Sequence, residues 1–246
     1  MAGHSHSANI AVRKGKQDAQ RAKLFSKLAR YIMIAAKNGG GDPDTNLRLR
    51  YAIDKARSVS MPKDNIERAV KKGCGGLDGE NYEETTYEGY GPGSAAIIIE
   101  SLTNNRARTS TDVRTIIEKG GGNMGTPGCV GYMFDRKGLI VLDAKAHPNE
   151  DEVIEAALEA GAEDVQKQDA VYEILTDPVG FGAVLEKLKE AGYEPTAADL
   201  KMLPKSPVDI EVEAGKKLLR LIDALDDNDD VQNVYTNAII TDAMAE

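Results

Sequence analysis

The chain has 246 residues, 41% of them hydrophobic and 29% charged, with a formal net charge of −9. That length leaves room for two or three domains, and the composition is that of a soluble globular protein. It contains no run of 18 apolar residues, which excludes a membrane-crossing helix, and no apolar stretch of signal-peptide type follows the first residues. Cys74 and Cys129 stand alone, with no CxxC and no metal framework, which fits a reducing cytoplasm. Tryptophan is absent and aromatics make up 5%, which argues against a broad base-stacking platform. The charge is unevenly spread. Residues 1–76 carry 16 Lys/Arg against 6 Asp/Glu, and residues 77–246 carry 15 against 34. Such a split predicts a basic module that meets a polyanion and an acidic body that limits indiscriminate binding or meets a protein partner.

In chain order, the basic module reads as three helices. Over 17–37, Leu24, Phe25, Leu28, Ile32, Ala35 and Ala36 recur with helical period, and Asn38-Gly39-Gly40-Gly41 stops the pattern. Asp42-Pro43-Asp44 offers a cap and a first-turn proline to a second helix ending near Ser58. Pro62 opens a third helix, with Ile66, Ala69 and Val70 inward and Gly73 as its expected stop. Residues 73–79 read as a Gly-rich linker. Then come strands at 82–88 and 95–102, a helix at 109–119 and a strand at 130–134. A second unit follows: strand 139–142, helix 151–160, strands 164–166 and 171–175, helix 178–191 and strand 201–203. That βαββαβ order is the ferredoxin-like one. A strand at 208–212, a helix at 215–225 and a strand at 231–235 close the chain. The expected fold is therefore α+β: an N-terminal three-helix bundle, 1–76, followed by two ferredoxin-like α/β domains. The second domain, 136–205, is inserted in the first, which comprises 77–135 and 206–246.

Phosphate binding needs cations at several neighbouring positions. Arg13, Lys14, Lys16, Arg21, Lys23, Lys27 and Arg30 place seven within eighteen residues, opposed only by Asp18. Lys63, Arg68, Lys71 and Lys72 on the third helix either extend that face or answer the helix dipole. Asn104, Asn105, Arg106, Arg108 and Arg114 form a basic island in the acidic body. It can bind phosphate beside helix amides, or act as an interdomain clamp to acidic neighbours. Other features read as structural. Asp226-Asp227-Asn228-Asp229-Asp230 lacks the glycine and distal glutamate of a calcium loop and reads as a solvated turn. Gly89-Tyr90-Gly91-Pro92-Gly93 joins two strands and reads as a hairpin turn, since a phosphate loop opens a helix. His4 and His6 have too few companion ligands for a metal site, so no metal and no cofactor are expected. HExxH, GxSxG and Cys–His signatures are missing, and no enzyme activity or catalytic residue is expected.

The segments MAGHS, RKGKQDA, RAKLFSKLAR, GGGDPDTN, MPKDNIERAVKKG, YEGYGPG and DDVQNVY, in that order, make the chain resemble the YebC/PmpR family over nearly its whole length. The resemblance implies a helical bundle with two α/β domains and a DNA-binding transcriptional regulator without catalytic activity. Related bacterial and mitochondrial members act in translation at the ribosome, including relief of stalling on proline-rich nascent chains. The family's opening pattern, AGHSKW-x-NIKHRK, is altered here at His6, Ser7, Ala11 and Val12, while Arg13 and Lys14 remain. The expectation is thus a cytoplasmic protein whose basic bundle contacts DNA phosphates, or RNA on the ribosome, with no membrane association.

Overall fold

The structure, a computed structural model, describes residues 21–75 and 82–245. Arg13, Lys14, Lys16, the histidine pair, the altered opening positions and most of the Gly-rich linker lie outside the described residues. Among the described residues the chain divides into two compact units, one of 21–75, 82–130 and 216–234, the other of 131–215 and 235–245.

The first unit begins with three helices: α1 (Arg21–Gly39), α2 (Leu47–Ser58) and α3 (Lys63–Cys74). Their apolar stripes meet in one core. Leu28, Ile32, Ala35 and Ala36 of α1 pack with Leu49, Ala52, Ile53 and Ala56 of α2 and Ile66 and Ala69 of α3. Each fully buried leucine or isoleucine contributes about 1.5–3 kcal/mol. Two details differ from the sequence expectation. The cap of α2 is Asn46, not the Asp42–Asp44 stretch. Asp42 instead closes a turn that accepts from the Asn46 N–H at 2.9 Å. The Asn46 Oδ1 accepts from the Leu49 N–H at 3.1 Å, and its Nδ2 donates to the Ala35 and Gly40 carbonyls, each at 2.8 Å. One buried amide thereby caps α2 and satisfies orphan carbonyls at the end of α1. Nor is Gly73 a helix stop. It lies inside α3, where a Cβ would sit 2.4 Å from the Met33 carbonyl oxygen, so its bareness lets two helix backbones approach.

The sheet of this unit holds β1 (Glu83–Tyr90), β2 (Ala96–Thr103), β3 (Asn123–Met124) and β8 (Val231–Thr236) in the order β3-β1-β2-β8. β1 and β2 form an antiparallel hairpin from Glu83↔Thr103 to Tyr90↔Ala96, closed by the Gly91 N–H on the Ala95 carbonyl at 2.8 Å. The glycine-rich stretch is the turn expected. Helix α4 (Arg106–Lys119) buries Val113 and Ile117, and α7 (Val212–Asp226) precedes β8. The strand expected at 130–134 does not form. The Glu88 carboxylate accepts the Gly128 and Val130 N–H groups at 2.8 Å each, so a side chain, not a ladder, holds this segment. The short β3 takes the place beside β1.

The second unit carries β4 (Phe134–Asp143), α5 (Glu150–Ala160), β5 (Asp164–Gln168), β6 (Val171–Thr176), α6 (Phe181–Glu190) and β7 (Ala197–Pro204). Strand order β5-β6-β4-β7, antiparallel throughout, is the ferredoxin-like order expected for βαββαβ. Ile140, Leu142, Tyr172 and Ile174 alternate onto one buried face, and Gly138 leaves room there for Phe181 of α6. The strand expected at 208–212 reduces to one parallel bridge, Val208↔Ala238, and α7 starts at Val212, three residues before the expected start. A short α8 (Asp242–Ala245) ends the described chain. The first sheet has the same spatial order as the second once β1 is counted third: β2-α4-β3 is its split unit and α7-β8 its last. Its chain is interrupted by the whole of the second sheet. The fold is α+β, with three helices followed by two antiparallel sheet-and-helix domains.

Candidate nucleic-acid interface and the clamp beside it

Lys23, Lys27, Arg30 and Ile34 follow one another at helical spacing along α1, off the face that enters the bundle core. This second stripe docks on the first unit's own sheet. Ile34 is buried against Leu102 of β2, with Met33 and Tyr82 beside it. The three cations run along the turn 226–230. The Lys23 ammonium reaches Asp227 Oδ1 at 3.1 Å. The Lys27 ammonium donates to the Asp226 carbonyl at 2.6 Å. The Arg30 guanidinium donates to the Asp229 carbonyl at 2.6 Å and to Asp230 Oδ1 at 3.1 Å. The turn expected to be solvated is therefore a docking element. A glance at its charge alone misses this, because the aligning signal is Ile34, an apolar residue outside the core face.

Asp230 is the centre of the arrangement. It is buried, and its second oxygen accepts from Arg108 at 2.8 Å and from the Thr109 hydroxyl at 2.7 Å. Thr103 stands 3.3 Å away, and the Asp230 carbonyl takes the Leu102 N–H at 2.8 Å. Burial opposes the charged form of this carboxyl. The hydrogen bonds of Arg108 and Thr109, with the charges of Arg108 and Arg30, outweigh it and hold the group below its ordinary range. Reciprocally, the hydrogen bond to Asp230 raises Arg108. One carboxylate thus joins α1, the end of β2, the start of α4 and the approach to β8. The adjoining cleft, of about 380 Å³, is lined by Arg30, Tyr82, Asn104, Arg108, Asp112 and the turn. Tyr82 lies under the Arg30 guanidinium, 5.5 Å from ring centroid to charge. Arg108 thus pairs with an acidic neighbour, but inside one unit and not between domains as expected.

The remaining cations behave differently. Arg68, Lys71 and Lys72 are exposed on the outer side of α3, opposite Ile66, Ala69 and Gly73, and form no ion pair among the described residues. Lys63 is also exposed and reaches Glu67 at 3.6 Å, one helical turn on. Arg106 opens α4 and is exposed, as is Arg114. Arg21 is the first residue of α1. Among the described residues no three His, Cys, Asp or Glu gather to hold a metal, and no helix is long and apolar enough to cross a membrane.

A three-helix domain with an exposed cationic helix face, followed in the chain by two ferredoxin-like sheets one of which interrupts the other, defines a multidomain α+β protein. Residues 5–76 match the TACO1/YebC protein N-terminal domain, and residues 82–238 match the TACO1/YebC second and third domain. The chain belongs to the TACO1/YebC family. A protein of Geotalea uraniireducens is 52% identical over 242 residues, covering 98% of this chain and 97% of its own. One of Citrifermentans bemidjiense is 50% identical over 246 residues, covering 100% and 99%. Both bear the name "Probable transcriptional regulatory protein". A crystal structure of a conserved hypothetical protein of Aquifex aeolicus is 47% identical and superposes with a TM-score of 0.81 over 91% of this chain and 92% of its own.

Proposed function

We propose that this chain is a non-enzymatic, cytoplasmic regulatory protein that binds nucleic acid, duplex DNA in the first place, through the basic helical domain 1–76. The observation that carries the reading is the exposed row Arg68, Lys71 and Lys72 on α3, with Lys63 beside it. Arg68, Lys71 and Lys72, which form no ion pair among the described residues, are the kind of cations a phosphate backbone engages, each contact releasing condensed counterions. Arg13, Lys14, Lys16 and Arg21 add four further cations ahead of α1 and at its start, and Arg106 adds one on α4. The naming of the close relatives as transcriptional regulators supports the same direction. The non-enzymatic part rests on the cleft: its arginines and its buried aspartate are engaged with one another, not presented to a substrate.

The test is a salt titration of binding to duplex DNA and, at equal salt, co-sedimentation with ribosomes. Tighter association with the duplex is expected. The variant Arg68→Ala/Lys71→Ala/Lys72→Ala is expected to lower the slope of log K against log salt by about 2–3, near 0.9 per phosphate contact. Tighter salt-sensitive binding to ribosomes than to DNA would move the function to translation. No salt-sensitive association with either would end the nucleic-acid reading.

A further inference from the structure

The turn 226–230 carries four aspartates in five residues and meets the cation stripe of α1 through the carboxylates of Asp227 and Asp230 and the carbonyls of Asp226 and Asp229. Its contacts are graded. At one end Arg30 and Asp230 are largely buried, with 18% and 9% of their side chains exposed. At the other, Lys23 and Asp227 are each about half exposed. Lys27 lies between them and donates to the Asp226 backbone carbonyl at 2.6 Å. The Lys23 contact is therefore water-accessible and the Lys27 contact part-buried, both next to the largely buried Arg30–Asp230 anchor. The acceptors along the turn alternate between carbonyl and carboxylate oxygens, and they stand where phosphate oxygens would meet these same side chains.

From this geometry we infer that the turn 226–230 is an intramolecular competitor for nucleic-acid phosphates. It withholds Lys23 and Lys27 in the free protein, and those cations pass from the turn to the polyanion on binding, while Arg30 stays on Asp230. The inference rests on the nucleic-acid reading above and adds its regulation. The helical domain then binds in two stages. The α3 face makes first contact with its uncommitted cations. The exposed end of the clamp follows only where phosphates reach α1 at a density sufficient to displace the aspartates. Isolated or sparsely charged anions do not complete the second stage, so the turn selects for a long, dense polyanion.

The experiment measures binding of the full chain to a short fluorescent duplex DNA across a salt series. The variant Asp226→Asn/Asp227→Asn/Asp229→Asn leaves Asp230 and its network in place. It is expected to bind about tenfold more tightly at 0.1 M salt, with the salt slope steeper by about 1–2. Asp227→Asn alone alters only a half-exposed carboxylate, which makes it safe for folding, and is expected to move both quantities in the same direction by less. A control on α5, Asp151→Asn/Glu155→Gln/Glu159→Gln, makes the same change in net charge and is expected to give a smaller gain. Unchanged or weaker binding by the turn variants, or an equal gain by the control, overturns the competitor while leaving the nucleic-acid reading intact. No binding by the parent chain and all variants removes both.

Discussion

Two rows of cations on neighbouring helices have opposite fates. Lys23, Lys27 and Arg30 of α1 look in sequence like the stronger polyanion site, yet they end on the turn 226–230. Arg68, Lys71 and Lys72 of α3 look more ordinary and remain exposed. The difference lies in what shares each face. Behind the α1 row comes Ile34, which is buried against Leu102 and commits that side of the helix to the sheet. The α3 row has no such residue, because Ile66, Ala69 and Gly73 all lie on the opposite side, in the bundle. A helix with two apolar faces must dock twice, and the cations on its second face become part of a packing interface. Charge density alone does not tell a committed cation from an available one.

The largest expected effect breaks the committed side at its centre. Asp230→Ala leaves a largely buried Arg30 without its carboxylate and the hydroxyls of Thr103 and Thr109 without their common acceptor. A loss of about 2–4 kcal/mol is expected in urea or thermal unfolding. The triple substitution on α3 is expected to change stability by less than about 0.5 kcal/mol in the same measurement. pH gives the matching signature. The folded carboxyl of Asp230 is held below its ordinary value, so its contribution is fully present above the unfolded carboxylate range, near pH 4. It is lost as pH falls through the lowered folded value. The gap between parent and Asp230→Asn is therefore expected to be wide at pH 6 and to close on acidification below pH 4. A gap that persisted unchanged in acid would show that the network does not depend on the ionised form.

The next effects concern what sets the two faces relative to the bundle. Gly73→Ala places a Cβ 2.4 Å from the Met33 carbonyl oxygen and 2.8 Å from Ala36 Cβ. Overpacking of this kind costs about 1–3 kcal/mol, against which alanine's better helix propensity returns about 1. A net loss is expected in thermal unfolding, and a gain would mean that α1 and α3 separate easily. Asn46→Ala removes a cap and two donated hydrogen bonds at once, and about 1–2 kcal/mol is expected to go with it.

These residues also show how far the sequence could be read. The three helices, the βαββαβ order and the hairpin around Gly89–Gly93 follow from periodicity and turn chemistry. These are local signals, and the sheet order in the second unit agrees with them. What escaped was decided at a distance. The strand expected at 130–134 was lost to Glu88, forty residues upstream, whose carboxylate pins two backbone amides. Gly73 has a local meaning, a helix stop, that the packing of α1 overrides. The candidate site was legible as a charge asymmetry, but its division into docked and exposed halves was not. Asp230 meets Arg30 and Arg108 across separations of 200 and 122 residues, and no motif spacing encodes such a meeting.

The smallest effect sharpens the comparison inside the clamp itself. Lys23→Ala and Arg30→Ala remove cations from the same stripe, one turn apart from Lys27 in either direction. Lys23 and Asp227 form a pair that is about half exposed, at 3.1 Å. Such pairs gain little in water, because ordering two long side chains offsets most of the attraction, and a cost below about 0.5 kcal/mol is expected. Arg30 is mostly buried, donates to a carbonyl and a carboxylate, and covers the Tyr82 ring. Its loss leaves the largely buried Asp230 carboxylate with one cation fewer, and about 2 kcal/mol is expected. Parallel unfolding measurements on the two variants decide the matter. Equal costs would mean that the clamp acts as one rigid unit. A gradient from Lys23 to Arg30 would mean that one end can exchange partners while the other fixes helix α1 to the sheet.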